Sequence, residues 1–245
     1  MKGGNKFSMG VSHSLLLTLW GGSSLSAANT LGGWWSSIEP FFAYIERRHD
    51  LILEKTLEHF ELILVAMVLA IIIGVTVGVL ISYWEPIAYP VINVTQVLMT
   101  VPSIAMIAIL IPLFGIGFNN GVATLVLYML LPLVRNTYTG IREIEQPVLE
   151  SARGMGMNEF RILMKIKLPL ALPVIMAGIR VAVVLGVGIG AIAAYIGAGG
   201  LGSLIFDGIE RVNYPMIWTG AIFISIIAII LDLLLGWGEK RLSWR

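Results

Sequence analysis

Five stretches of this chain are apolar almost without interruption, at 60–83, 88–114, 122–138, 171–196 and 215–237. A helix rises about 1.5 Å per residue and the hydrocarbon core of a bilayer is about 30 Å thick, so about 20 mainly apolar residues span it. The pattern predicts five transmembrane helices. The third stretch is the shortest, and Pro132 inside it predicts a kink that packing against neighbouring helices must repair. The largest polar interruption, 142–169, falls between the third and fourth stretches.

Ahead of the first stretch the pattern differs. In 1–33, Lys2 and Lys6 precede the short apolar run 15–20 and a small-residue stretch in which Ser26 and Ala28 stand two apart, as a signal-peptidase site requires. That segment reads either as a signal-like or weakly inserted leader or as a disordered extension. The next segment, 34–59, mixes Trp34, Trp35, Phe41, Phe42 and Tyr44 with charges, which predicts an amphipathic helix lying in the membrane interface. The remainder, 60–245, forms the transmembrane domain.

Composition agrees with an integral membrane protein: 57% of residues are hydrophobic and 13% charged, against about 25% charged in soluble domains. A formal net charge of +1 without a basic cluster excludes a nucleic-acid partner. The absence of cysteine removes disulfides, thiolate metal sites and cysteine nucleophiles. Orientation follows from the positive-inside bias. Arg142, Arg153, Arg161, Lys165 and Lys167 lie in one loop and Lys240, Arg241 and Arg245 in the tail, whereas 197–214 offers only Arg211. The loop 142–169 and the C-terminus are therefore expected in the cytoplasm, and an odd number of spans puts the N-terminal region outside.

Within that loop Pro147 suits the first turn of a short helix over 148–153, and Gly154 and Gly156 suit its end. Asn158 suits the N-cap of a second short helix, with Glu159 near the positive end of its dipole. Leu168-Pro169 is expected to end it. Ser151, Ala152 and Gly154 leave little side-chain bulk in the way of an approaching surface.

Polar groups inside the apolar stretches are the remaining candidates. Arg180 and Asp232 sit at matching depths, about 10–14 Å from the cytoplasmic edge. Such groups are costly in a membrane and usually pair or face the bundle interior. They either join the fourth span to the fifth as an ion pair, or Arg180 snorkels to headgroups while Asp232 meets water. Thr100, Pro102 and Ser103 either border a passage for a small zwitterion or cation, or the hydroxyls bond neighbouring backbone. Gly199, Gly200 and Leu201 belong either to an external gate or to a plain exposed loop. Tyr128, Tyr138 and Tyr195 are too scattered to form an aromatic cage for a quaternary ammonium. An intramembrane enzyme is disfavoured: His13, His49 and His59 precede or border the first span, and no metal-ligand or nucleophile spacing occurs in the apolar stretches.

The order Glu150-Ser151-Ala152, three residues, Gly156, nine residues, Ile166, one residue, Leu168-Pro169 resembles the EAA loop by which ABC-importer permeases dock on their ATPases, departing from it only at Ser151. Three further stretches carry a closer resemblance, to the quaternary-amine osmoprotectant permeases that import glycine betaine, choline or carnitine. They are Thr56-Leu57-Glu58-His59, the run 131–141 and the run 196–202, so that the likeness extends over 34–245. The resemblance implies an all-α, five-helix permease of the type I importer kind in a prokaryotic cytoplasmic membrane. It further implies a second permease, identical or different, two ATP-binding subunits and an extracytoplasmic substrate-binding protein. Glu150, Ser151, Ala152, Gly154, Gly156, Met157 and Asn158 would form the coupling element. No Gly-x-x-x-x-Gly-Lys-Ser/Thr phosphate loop occurs, so ATP hydrolysis is expected on another chain, with no cofactor or metal on this one. The alternative is a permease for another small solute such as an amino acid.

Overall fold

The computed structural model describes residues 39–243, and no strand occurs among them. They fall into two units, residues 39–47 and 48–243. In the first, the described helix α1 (39–47) places Phe41 edge-on to Phe42 and lets the Arg47 guanidinium donate to the Ala43 carbonyl at 3.0 Å. The leader discussed for 1–33 lies outside the described residues.

The second unit runs α2 (His49–Tyr83), α3 (Glu85–Thr100), α4 (Ser103–Phe114), α5 (Phe118–Arg142), α6 (Gln146–Gly154), α7 (Glu159–Ile162), a π turn (Leu163–Lys167), α8 (Leu168–Ala193), a 3₁₀ turn (Ala194–Ile196), α9 (Gly202–Glu210) and α10 (Tyr214–Ser243). Four helices are long and apolar enough to cross a membrane, and α3 with α4 makes a fifth if the bent pair counts as one span.

Two seams of small residues determine the packing. Ala66, Ala70, Gly74 and Gly78 recur every fourth position along α2, and Gly178, Ala182, Gly186 and Gly190 do so along α8; all eight are buried. Without side-chain bulk, backbones come close, which is the main route to helix association where no water drives it. Both seams receive α5. A β-carbon on Gly74 would lie 2.6 Å from Leu133 Cβ, one on Gly78 2.5 Å from Thr137 Cβ, and one on Gly178 2.7 Å from Asn136 Cβ. The middle of α5 is 61% buried, against 17% for α10. This central position explains why the least apolar span tolerates Asn120, Thr124 and Thr137: protein surrounds them.

Three expectations change. The helix that carries the first apolar stretch does not begin at residue 60: α2 is one 35-residue helix from His49, so 49–59 are continuous with it and not part of one separate helix over 34–59. The second stretch is broken. Val101 and Pro102 are extended (ψ 130° and 136°), and the halves meet at 105°. The residue before a proline avoids the helical region, and proline offers no amide to the ladder. The Tyr128 hydroxyl, from α5, donates to the Val101 carbonyl freed there. Third, Leu168-Pro169 ends nothing. The Leu168 amide reaches back to the Leu163 carbonyl, and this π turn absorbs the proline so that α7 runs into α8 as a 38-residue helical rod, Glu159–Ile196. Helix α5 likewise continues through Pro132.

Candidate coupling and gate sites

At one end of the bundle the loop between α5 and α8 folds into the anticipated pair of short helices. Pro147 occupies the first turn of α6. The helix closes in a Schellman motif: the Met157 amide donates to the Ala152 carbonyl at 3.2 Å and the Gly156 amide to the Arg153 carbonyl at 2.9 Å. Gly156 carries φ +78°, with open space around it, so conformation and not crowding demands glycine there. The Asn158 side chain then accepts from the Arg161 amide at 2.9 Å and starts α7. Arg153 reaches across the elbow to Glu159 at 3.1 Å.

A small apolar core holds the elbow. Leu149, Ala152 and Ile162 are buried, with Ile144, Met157 and Ile166 against them. Ala152 and Met157 therefore support the fold from within, while Glu150, Ser151, Gly154, Gly156 and Asn158 are exposed. Beside them Met155 and Phe160 are 73% and 67% exposed. Those two apolar residues were missed by sequence reasoning; their signal was hydrophobicity on the polar face of a loop otherwise rich in charge. Lys167 anchors the far side of the elbow, its ammonium 4.2 Å from the centre of the Tyr83 ring.

At the opposite end of α8 the chain turns through Gly197, Gly199 and Gly200, with φ of +77°, +82° and +86°. This loop is not a plain exposed connection. Ala198 and Leu201 are 5% and 0% exposed, and the Gly200 amide donates to the Glu58 carboxylate at 2.8 Å. Glu58 is steadied in turn by Lys55 at 2.7 Å. A β-carbon on Gly199 would lie 2.8 Å from Glu58 Oε2, and one on Gly200 2.8 Å from His59 Nδ1. Two separated motifs, Thr56–His59 and 196–202, thus form one site. His59 is fully buried and neither ring nitrogen makes a hydrogen bond of normal geometry, although the Val187 carbonyl is near enough to interact.

The intramembrane candidates separate. Arg180 meets Asp232 through two contacts, 2.5 Å from Nε to Oδ1 and 2.8 Å from Nη2 to Oδ2. Glu239 approaches the same guanidinium at 3.5 Å, a third member not foreseen. Gly236 leaves room for it: a β-carbon there would lie 3.2 Å from Arg180 Cζ. Thr100, by contrast, is exposed and donates to its own helix at the Val97 carbonyl, 2.7 Å away. Pro102 and Ser103 sit at the sharp bend. Among the described residues no cluster of three metal-ligating side chains occurs.

The chain matches the family described as binding-protein-dependent transport system inner membrane component over residues 66–244. It is 42% identical to the glycine betaine/carnitine/choline transport system permease protein OpuCD of Bacillus subtilis, over 84% of this chain and 90% of that protein. It is 46% identical to the osmoprotectant import permease protein OsmW of Salmonella typhimurium, over 74% of this chain and 86% of that one. Its fold is shared with an inward-facing structure of the MetNI methionine ABC transporter, with a TM-score of 0.74 and 21% identity over 81% of this chain and 99% of that one. Coverage of this extent, together with the loop and bundle described above, makes the chain a member of the inner-membrane components of binding-protein-dependent transport systems, the permease subunits of ABC importers.

Proposed function

We propose that this chain is the permease of an ATP-driven importer for small quaternary-ammonium osmoprotectants such as glycine betaine, choline or carnitine. Its α6–α7 elbow would dock on one of two ATP-binding subunits, a second permease would complete the pathway, and a substrate-binding protein would deliver cargo from outside. The elbow and the C-terminus face the cytoplasm in this reading, and the N-terminal region faces outward. The observation that carries it is the elbow itself. The Schellman-closed α6 and the start of α7 present Glu150, Ser151, Gly154, Met155 and Phe160 outward while Leu149, Ala152 and Ile162 hold the shape of the elbow. A loop that only packed beneath its own bundle would not leave Met155 and Phe160 to water. ATP-driven closure of the partner subunits would move the elbow, and α8 with it.

The osmoprotectant reading is favoured over an amino-acid cargo by relatives 39–46% identical whose names specify osmoprotectant, choline or carnitine transport. The methionine transporter shares only the fold.

Two measurements test the proposal. Cells carrying the whole system should accumulate glycine betaine, choline or carnitine in preference to methionine; preference for methionine would overturn the cargo assignment. Gly154→Trp adds bulk at an exposed helical position with nothing within 4 Å, so the permease should reach the membrane yet lose uptake. Undiminished uptake would overturn the docking role.

A further inference from the structure

Helix α8 is flanked by two grooves that share Val181 and Leu185. One is bordered on α5 by Arg135, Asn136 and Thr139, the other on α10 by Asp232 and Glu239. The polar groups stand at related levels, because Gly178 packs on Asn136 while Arg180 lies against Gly236. They are not sealed away. Arg135 is exposed, and the Arg180, Asp232 and Glu239 side chains keep 37%, 34% and 27% of their surface open. Charged groups this open cannot face hydrocarbon without a large penalty; they require water or another polar chain. The far side of α10 differs. On the opposite side of α10 from Asp232, at about 200° of helical rotation, Leu234 is 60% exposed and apolar, as a lipid contact should be.

We infer that the α5–α8–α10 face, centred on Val181 and Leu185, is a wall of the translocation pathway, and that it passes a small zwitterion whose two charges are matched by the groups of opposite sign on either side. This rests on the transport reading above. Charge complementarity favours the zwitterions of the proposed cargo class, glycine betaine and carnitine, over choline, which has no carboxylate. A guanidinium at Arg135 suits a carboxylate, and Glu239 retains acceptor capacity for a cationic head, since its contact with Arg180 is single and long at 3.5 Å while Asp232 takes the two-pronged one. The aliphatic surface of Val181 and Leu185 between them suits the methyl groups of a quaternary ammonium. Thr100 borders neither of these two grooves.

The absence of native cysteine makes a direct test available. Leu185→Cys and Leu234→Cys are introduced singly into the complete transporter in membrane vesicles and treated with a trimethylammonium methanethiosulfonate. A thiolate forms in water and not in hydrocarbon, so Cys at 185 should react at least about ten-fold faster than Cys at 234. Glycine betaine should slow the reaction at 185 only. Equal rates at the two positions would overturn the wall, and fast labelling at 185 indifferent to betaine would overturn the passage of a zwitterion along it. Failure of the parent transporter to take up betaine, with the rate contrast between 185 and 234 intact, would instead tell against the transport reading, because that contrast does not depend on cargo identity.

Discussion

The Gly200 amide donates to the Glu58 carboxylate at 2.8 Å, tying the loop that follows α8 to the first long helix across 142 positions of sequence. Gly200→Ala attacks this junction twice. It imposes a left-handed conformation on a residue with a β-carbon, worth about 1–2 kcal/mol, and it drives that carbon against His59. Thermal unfolding of the purified protein should show a clear loss of stability. Gly188→Ala, inside α8 with nothing within 4 Å and no positive φ, should show none.

The elbow offers a second contrast within three residues. Gly156→Ala should weaken the α6 terminus by about 1–2 kcal/mol through its φ of +78°. Gly154→Ala replaces a helical glycine and should stabilise by about 0.5–1 kcal/mol. Hydrogen exchange at the Met157 amide, which closes the Schellman motif, reports the difference directly: faster in the first variant and slower in the second.

Val212 is the one non-glycine residue with positive φ among the described residues, at +52°. It sits where α9 ends, with the Asn213 amide donating to the Gly208 carbonyl at 2.7 Å and the Val212 amide to the Ile209 carbonyl at 3.2 Å. A β-branched residue is poorly suited to that position. Because its side chain is 69% exposed, Val212→Gly should raise stability by about 1 kcal/mol, visible as a higher unfolding temperature with uptake unchanged.

Asp232→Ala removes the two-pronged partner of Arg180 and leaves the guanidinium only the longer contact to Glu239. The yield of folded protein in the membrane should fall several-fold. Exchanging the two residues, Arg180→Asp with Asp232→Arg, should recover part of it if the pair joins the helices, and none if each group acts alone.

The spans were legible because long apolar runs have few alternatives, and the elbow because proline, glycine and asparagine each constrain the backbone in a known way. Arg180 and Asp232 could be matched by depth alone, since both helices climb at the same rise per residue. What the sequence hid has equally physical causes. Glu58 and Gly200 meet only through packing across the bundle, and nothing local announces it. A proline inside an apolar stretch can be absorbed, as Pro132 is, or can break the helix, as Pro102 does, and nothing local announces the 105° bend or the Tyr128 hydroxyl that donates to the freed Val101 carbonyl. The π turn at Leu163–Lys167 was invisible because Leu168-Pro169 normally signals an end, and a widened turn is the less common answer to the same missing amide. Helix α5 looked like the weakest span and is the most enclosed, since its polar residues were a sign of protein neighbours.

The uninterrupted passage from α7 through the π turn into α8 gives the molecule a shaft about 57 Å long, at 1.5 Å per residue over its 38 residues. Its near end begins at the Asn158 cap, its middle carries Arg180, and its far end delivers the glycine turn clasped by Glu58. A single piece of hydrogen-bonded backbone therefore connects the elbow to both the Arg180 cluster and the clasp. Under the proposed docking, a rotation imposed on the elbow would be carried to the far end of α8 by this one helix, without a relay of loops.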